Sequence, residues 1–488
     1  MKFLLSILLL GMCGCGTRTS TVLLQLELCG AGEGPSGAYC GVHEVFEDRA
    51  AGAGRKVALK VVVLPALSNE PLSDPLFFLA GGPGQAATEL AGPIQSMFSR
   101  VRRRRDIVLV DQRGTGKDHP LRCEEVLKDE DEDPNAIDLE MPWEKIRECL
   151  ASFEGDAALY TTTVAMDDLD EVRAWLGYER INLYGGSYGT RAALVYLRQH
   201  PQMVRSVILD GVAPTDMAIP LQMPSDIQRA LDKVLEACAA EPGCNERFPD
   251  LGEKFRALLA KLEREQPKAR LRHPRTGEPV ELTISPRVLH TLAGPLYVPW
   301  MSSLIPLVIQ EASEGNFAPL LALAFSGEGI AETISQGMHF SIVCSEDAPL
   351  VEAADPEAAA AGTFLGASLL QTRWKACEFW PRAQVPPEYY EPVTSDAPVL
   401  ILSGDLDPVT PPRWGELAAR TLPNSRHLIA PAAGHGVLTN GCAMRLIEQF
   451  LETADASKLD ASCLEEGKRP PFFVRPSGPD AGPREGGS

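Results

Sequence analysis

Residues 181–190 read INLYGGSYGT. Ile181, Asn182, Leu183 and Tyr184 suit a strand, and the stretch from Arg191 to His200, closed by Pro201, suits a helix. Between them stands Gly185-Gly186-Ser187-Tyr188-Gly189, which fits G-x-S-x-G. Such a corner has two readings. One is a glycine-rich loop with a bystander serine. The other is a tight turn that holds one hydroxyl clear of the backbone while the helix N-terminus aims N–H groups toward it. The rest of the chain decides between them.

The same grammar recurs. PLFFLAGGPG (75–84), DIVLVDQRG (106–114), VRSVILDGVAP (204–214), PVLILSGDLDPVTPP (398–412) and SRHLIAPAAGHG (425–436) are short apolar runs with glycine at or near their exits. Continuous runs point to strands buried on both faces of a mostly parallel, doubly wound α/β sheet. VAMDDLDEVRAWLG (164–177) supplies a helix between strands. TVLLQLELC (21–29) and KVALKVVVLPA (56–66) read as an N-terminal antiparallel pair. From about 215 to 390 helical stretches dominate, so a helical insertion interrupts the α/β core. The segment 120–160, an acidic excursion around KDEDEDPNAIDLE, reads as a surface loop, and RRRR (102–105) as a solvated charge run.

A nucleophilic serine needs a base, and the base needs an orienting acid. In a strand–turn–helix arrangement they follow at later strand ends, acid first and histidine second. SGDLDPVT (403–410) follows VLIL and offers Asp405 and Asp407; Asp407 lies further past the strand end and precedes Pro408. His435, flanked by glycines, follows HLIA. Ser187, Asp407 and His435 are therefore the expected catalytic set, with Asp405 structural. The N–H of Tyr188 supplies one oxyanion donor. The second is expected from Ala80-Gly81-Gly82-Pro83-Gly84; Pro83 has no N–H, and Gly82 is the choice. Losing one such donor typically costs about 2.7–4 kcal/mol of activation free energy.

GGPG (81–84), DQRGTG (111–116), GGSYGT (185–190), CSED (344–347), ACEFWP (376–381), SGDLDPVTPP (403–412) and GHG (434–436) occur in one order along the chain. In these the sequence resembles the α/β-hydrolases related to prolyl aminopeptidase, most closely their tripeptidyl-aminopeptidase-like branch. The resemblance implies an α/β-hydrolase fold with a helical cap inserted after the sixth core strand, the one ending near Asp210. It implies a secreted serine exopeptidase that releases N-terminal tripeptides or single amino acids through an acyl-enzyme. It places the triad on Ser187, Asp407 and His435 and an acidic residue at Glu346. Prolyl aminopeptidases usually carry histidine before GGPG; Ala80 stands here, which suits the tripeptidyl-like branch. An α-ammonium group calls for a partly desolvated carboxylate. Glu346, with Asp347 beside it, is the candidate anchor. Asp111 and Arg113 are expected to shape the loop near the site. A carboxylesterase or lipase on the same triad is the alternative, because fold does not fix substrate.

Net charge is −20 over 488 residues, which argues against nucleic acid as a partner. MKFLLSILLLGMCGCG opens with one lysine and a short apolar run, a secretory signal too short to span a membrane. Met12-Cys13-Gly14-Cys15 resembles a lipobox with Cys15 as the acylated residue, so a lipid-anchored envelope protein and a secreted one are both expected locations. Ten cysteines remain: Cys29, Cys40, Cys123, Cys149, Cys238, Cys244, Cys344, Cys377, Cys442 and Cys463. Their even number fits disulfides in an oxidising compartment. Sequence does not select the connectivity; sequential pairing closes local loops and is the expectation. No C-x-x-C occurs, and no histidine sits near two cysteines at zinc spacing, so no metal or other cofactor is expected. The organisation expected is 1–15 signal and lipobox, 16–213 first part of the core, 214–390 cap, 391–470 TAP-like second part of the core, and 471–488 disordered tail. Peptides are the expected partners. Oligomeric state is not readable.

Overall fold

Runs of Val, Leu, Ile and Phe make the central strands: β4 (Leu76–Leu79), β5 (Ile107–Val110), β6 (Ile181–Gly186), β7 (Val204–Asp210) and β10 (Val399–Gly404). They are buried almost throughout, which is why their sequences do not alternate. These strands belong to a computed structural model describing residues 25–117, 119–123, 142–273, 276–326 and 333–479. The leader with Cys13 and Cys15, the acidic run KDEDEDPNAIDLE and residues 480–488 lie outside the described residues.

With β1 (Glu27–Leu28), β2 (Tyr39–Phe46), β3 (Lys56–Leu64) and β11 (Ser425–Ala430), the strands form one nine-stranded sheet, ordered β1-β2-β3-β5-β4-β6-β7-β10-β11. From β5 to β11 every pairing is parallel; β1, β2 and β3 add an antiparallel edge. The partner of β3 is β2, not the 21–29 run, which contributes only two described strand residues. YCGVHEVF lacks a long apolar run, and its exposed or half-buried polar positions hid it.

Helices cover the sheet. Thr162–Trp175 and Tyr188–Gln199 pack side by side, and Ala165, Leu169, Ala192 and Tyr196 enter the main core. The expected surface loop contains the helix Trp143–Ser152, whose Ile146 and Cys149 are buried. Arg105 of the arginine run is also buried, bonded to Asp74, Glu452 and the Leu451 carbonyl.

Between β7 and β10 lies the inserted segment. Set the two-residue β1 aside, and β7 is the sixth strand. Ile219–Ala240, Leu251–Glu265 and Ile305–Ser313 are its main helices, with a hairpin of β8 (Lys268–Arg272) and β9 (Pro279–Thr283). Ile227, Leu231, Val234 and Cys238 recur at helical spacing and join Phe255, Leu289 and Ile305 in a second core. Later residues of the insertion behave differently. Met338, Phe340, Cys344, Cys377 and Trp380 pack into the main core beneath the sheet. The expected disordered tail begins with structure: Phe472 is buried in the second core, and Phe473–Arg475 pairs with Gly478–Pro479. Two aromatics, Phe472 and Phe473, outweigh the Pro/Gly-rich composition there.

Among the described residues five disulfides join sequential cysteines: Cys29–Cys40, Cys123–Cys149, Cys238–Cys244, Cys344–Cys377 and Cys442–Cys463.

Candidate active site

The parallel register brings strand ends together. Leu79 of β4 lies opposite Gly185, Gly186 opposite Asp210, and Asp210 opposite Leu402 of β10. Gly404 then faces Ala430 of β11. The loops leaving these ends carry every residue of the expected triad.

Ser187 follows β6 directly and has φ 56°, ψ −126°, a positive φ that costs a non-glycine residue energy. The turn closes only without side chains nearby. A Cβ on Gly185 would fall 2.2 Å from the Gly189 carbonyl oxygen, and one on Gly189 would fall 2.2 Å from the Leu79 oxygen. The Ser187 N–H donates to the Asp210 carbonyl at 2.9 Å, and the helix begins at Tyr188. The Thr190 N–H donates to the Ser187 carbonyl at 2.8 Å, and the N–H groups of Tyr188 and Gly189 before it are the helix's free-end donors. The corner is a strained elbow.

His435 reaches Asp407. Nδ1 lies 2.9 Å from Asp407 Oδ2. Asp407 is fully buried, and its other oxygen accepts the N–H groups of Val409 at 2.9 Å and Thr410 at 2.8 Å. Thr410 Oγ1 donates to Asp407 Oδ2 at 2.8 Å and sits 3.1 Å from His435 Nδ1. Asp405 points elsewhere, to Lys233 Nζ at 2.6 Å. Burial pushes the Asp407 carboxyl upward, but the His435 charge and hydrogen bond, with the two N–H groups, outweigh it and hold it below the usual carboxylate value. Burial pulls His435 down; the Asp407 charge and hydrogen bond, then the Asp210 charge, reverse this and leave the imidazole raised.

Ser187 approaches this pair through the chain at 210–211. A Cβ on Gly211 would lie 3.4 Å from His435 Cε1 and 3.5 Å from Asp407 Oδ2. The Ser187 hydroxyl itself makes no hydrogen bond among the described residues. Beside it runs the Ala80–Gly84 loop, where a Cβ on Gly81 would stand 3.7 Å from Ser187 Oγ. Gly82 has φ +109°. The inserted segment clamps this loop: Ser335 N–H donates to the Gly84 carbonyl at 2.9 Å, Gln85 bridges Ile334, and His339 Nδ1 meets the Pro83 carbonyl at 3.2 Å.

Glu346 and Asp347 are 1% and 0% exposed. Glu346 Oε1 accepts the Thr162 N–H at 2.6 Å, and Oε2 accepts the hydroxyls of Thr162 at 2.8 Å and Tyr389 at 2.5 Å. Asp347 Oδ1 takes the Arg191 guanidinium at 2.8 Å. In this structure the two carboxylates belong to a buried polar network, in which Asp347 Oδ2 makes no hydrogen bond among the described residues. Arg113 is likewise structural, bonded to both oxygens of Asp168 and to three backbone carbonyls. Asp111 is buried, accepts the N–H and hydroxyl of Thr88, and is pushed up to about 6 by desolvation.

Against known proteins, the model of the alpha/beta hydrolase fold matches residues 74–275, and the model of the TAP-like protein matches residues 362–463. The chain belongs to the α/β hydrolases. Its C-terminal part is TAP-like. The strand–turn–helix serine and the family together make it a serine hydrolase. It is 27% identical over 476 residues to the serine protease Hip1 of Mycobacterium tuberculosis, covering 88% of each chain. It is 31% identical over 146 residues to the proline iminopeptidase of Neisseria gonorrhoeae, covering 30% of this chain and 34% of that one. Among solved structures, the proline iminopeptidase of Mycobacterium smegmatis aligns with TM-score 0.40 at 16% identity, covering 85% and 99% of the two chains. MGS-M2, an alpha/beta hydrolase enzyme from a Medee basin deep-sea metagenome library, aligns with TM-score 0.40 at 13% identity, covering 83% and 98%.

Sequence reasoning missed three neighbours of the hydrolase's site. Thr410, three residues after Asp407, was findable as a hydroxyl in the acid turn. Tyr297 accepts the His435 N–H at 2.9 Å through its carbonyl and sets its ring edge-on to the imidazole at 5.2 Å. Arg229 donates to the carbonyls of Asp405 at 3.1 Å and Asp407 at 2.5 Å. Both lie in the insertion, over a hundred residues from what they hold, and no local pattern marks them.

Proposed function

We propose that this α/β hydrolase is an exported serine peptidase that releases residues from peptide N-termini. The observation that carries the reading is the pair of buried Asp407 and half-buried His435, with the strained Ser187 elbow. Ser187 Oγ attacks the scissile carbonyl carbon and passes its proton to His435 Nε2. Asp407 keeps Nδ1 protonated and stabilises the imidazolium. Negative charge on the former carbonyl oxygen is met by the N–H groups of Tyr188 and Gly82. His435 returns the proton to the leaving amine, and water then repeats the sequence on the acyl-enzyme. Peptide chemistry is supported by the relatives named serine protease and proline iminopeptidase. The chain-end preference is supported by the insertion, which contacts the loops of Gly84, Asp407 and His435 and would limit access to chain ends. The five disulfides fit an oxidising compartment, in line with export; attachment through a lipid on Cys15 is part of the same proposal.

The test compares free-amine di- and tripeptidyl coumarins with their N-acetylated forms and with p-nitrophenyl esters. Acetylation should lower kcat/KM by about a hundredfold, the scale of one charge-assisted contact worth on the order of 3 kcal/mol. An unchanged rate would remove the N-terminal preference, and activity on esters alone would make the protein an esterase.

A pH profile follows from the pair. The base must be neutral, and its pKa is raised above the ordinary 6.5. Activity is therefore lost as pH falls through that raised value, and the acid limb of kcat/KM should lie above 6.5. A limb below 6 would contradict the raised imidazole.

A further inference from the structure

We propose that Asp210 is a positioning residue that ties the Ser187 elbow to the His435 loop. The inference rests on the triad read above. Asp210 ends β7, is 2% exposed, and serves both loops at once. Its backbone carbonyl accepts the Ser187 N–H at 2.9 Å. Its carboxylate accepts the Val437 N–H at 2.8 and 3.0 Å and the Leu438 N–H at 3.3 Å, two and three residues past the histidine. Oδ2 also accepts the Tyr184 hydroxyl at 2.7 Å.

Tyr184 belongs to β6, three residues before the serine. Its ring stacks on Phe78 of the neighbouring strand at 5.1 Å, which fixes where the hydroxyl points. One buried carboxylate thus bridges the strand that delivers the nucleophile and the loop that delivers the base. Register alone cannot do this, because β6 and β11 are not neighbours. Gly211 extends the floor: a Cβ there would fall 2.9 Å from Thr410 Oγ1 as well as against His435. The chain at 210–211 can pass beneath the triad only because its second residue has no side chain.

The carboxylate also adds charge. The ionisable groups that face His435 are Asp407 from the acid loop, Asp210 from β7 and the Tyr297 phenol ring from the insertion; Tyr184 and His435 face Asp210. Both acids favour the imidazolium. Removing one should let the imidazole give up its proton more easily.

Asp210→Asn retains an oxygen acceptor for the Val437 N–H but loses the charge, and its amide NH2 must meet donors. Expected is a fall in kcat of about a hundredfold with KM within threefold, the scale of a roughly 1 Å misplacement of a catalytic group. The acid limb of kcat/KM should also move to lower pH, which loosened packing alone would not do. A kcat within about threefold of wild type, or an unmoved limb, overturns the proposal. Should that variant not fold, Tyr184→Phe decides. It keeps the charge and loses one bond to it, so kcat should fall about tenfold with the limb unmoved; a kcat within twofold of wild type overturns the proposal. Fluorophosphonate labelling of wild type separates the two levels. Wild type that does not label at Ser187 removes the triad reading itself; wild type that labels, beside an unimpaired variant, removes only the role of Asp210.

Discussion

Ser187→Ala is expected to abolish fluorophosphonate labelling and to lower kcat by on the order of 10⁶-fold, with the fold unchanged. The magnitude follows from cooperation. In the proposed triad the histidine and aspartate act through the serine oxygen, so removing that oxygen forfeits their contributions together. What remains is the oxyanion site and binding, worth about 10³–10⁴ over water in enzymes of this type. The substitution should not destabilise the protein. Ser187 sits at φ 56°, its hydroxyl makes no hydrogen bond among the described residues, and alanine keeps the Cβ already accommodated there. Equal thermal midpoints would therefore accompany the lost rate. Asp407→Asn should be milder, near 10⁴-fold, because the histidine survives in the wrong tautomer. Labelling that persists in Ser187→Ala, or a kcat within about a hundredfold of wild type, would mean that another group attacks.

The elbow, the acid turn and the histidine turn were legible because each is short and dictated by backbone sterics. Glycine at 185 and 189 answers an approach of 2.2 Å to a carbonyl, and no other residue type fits. Parallel strands were legible for a similar reason: burial on both faces leaves unbroken apolar runs. β2 was not, because this strand next to the sheet edge, with most of its positions exposed or half-buried, mixes Cys40, His43 and Glu44 with its apolar residues. Asp210 read only as the end of a strand, since its work lies in contacts to Tyr184 and Val437 that sequence distance conceals. The surroundings of Glu346 were hidden in the same way: nothing in CSED shows that Thr162, Tyr389 and Arg191 converge on it from three other segments. Motifs fixed by backbone closure are local; side-chain networks are made by tertiary packing.

That network supplies the largest expected effect on stability. Arg191 stands one helical turn after Ser187, is fully buried, and holds Asp347 at 2.8 Å and Glu346 at 3.9 Å, besides the Met217 carbonyl at 2.5 Å. Arg191→Leu keeps an apolar stem but leaves two carboxylates inside the protein with no cation. Breaking a buried pair from one side costs roughly 3–5 kcal/mol. Burial pushes both carboxyls above their ordinary values, and the charge of Arg191 is the main counterweight for each. Without it they rise further, so the folded variant binds more protons than the unfolded chain over a wider range of pH. Its stability must then improve as pH falls from neutral toward the carboxylate range. Denaturant unfolding at pH 7.5 and 5.5 tests this: the deficit against wild type should be several kcal/mol at the higher pH and smaller at the lower. A deficit below about 1 kcal/mol, or one independent of pH, would show that Glu346 and Asp347 do not depend on Arg191. The same comparison separates a buried network from a ligand anchor. An anchor, when neutralised as Glu346→Gln, would raise KM for free-amine peptides at unchanged stability, whereas the packed carboxylate described here should lower the unfolding free energy and leave KM where it was.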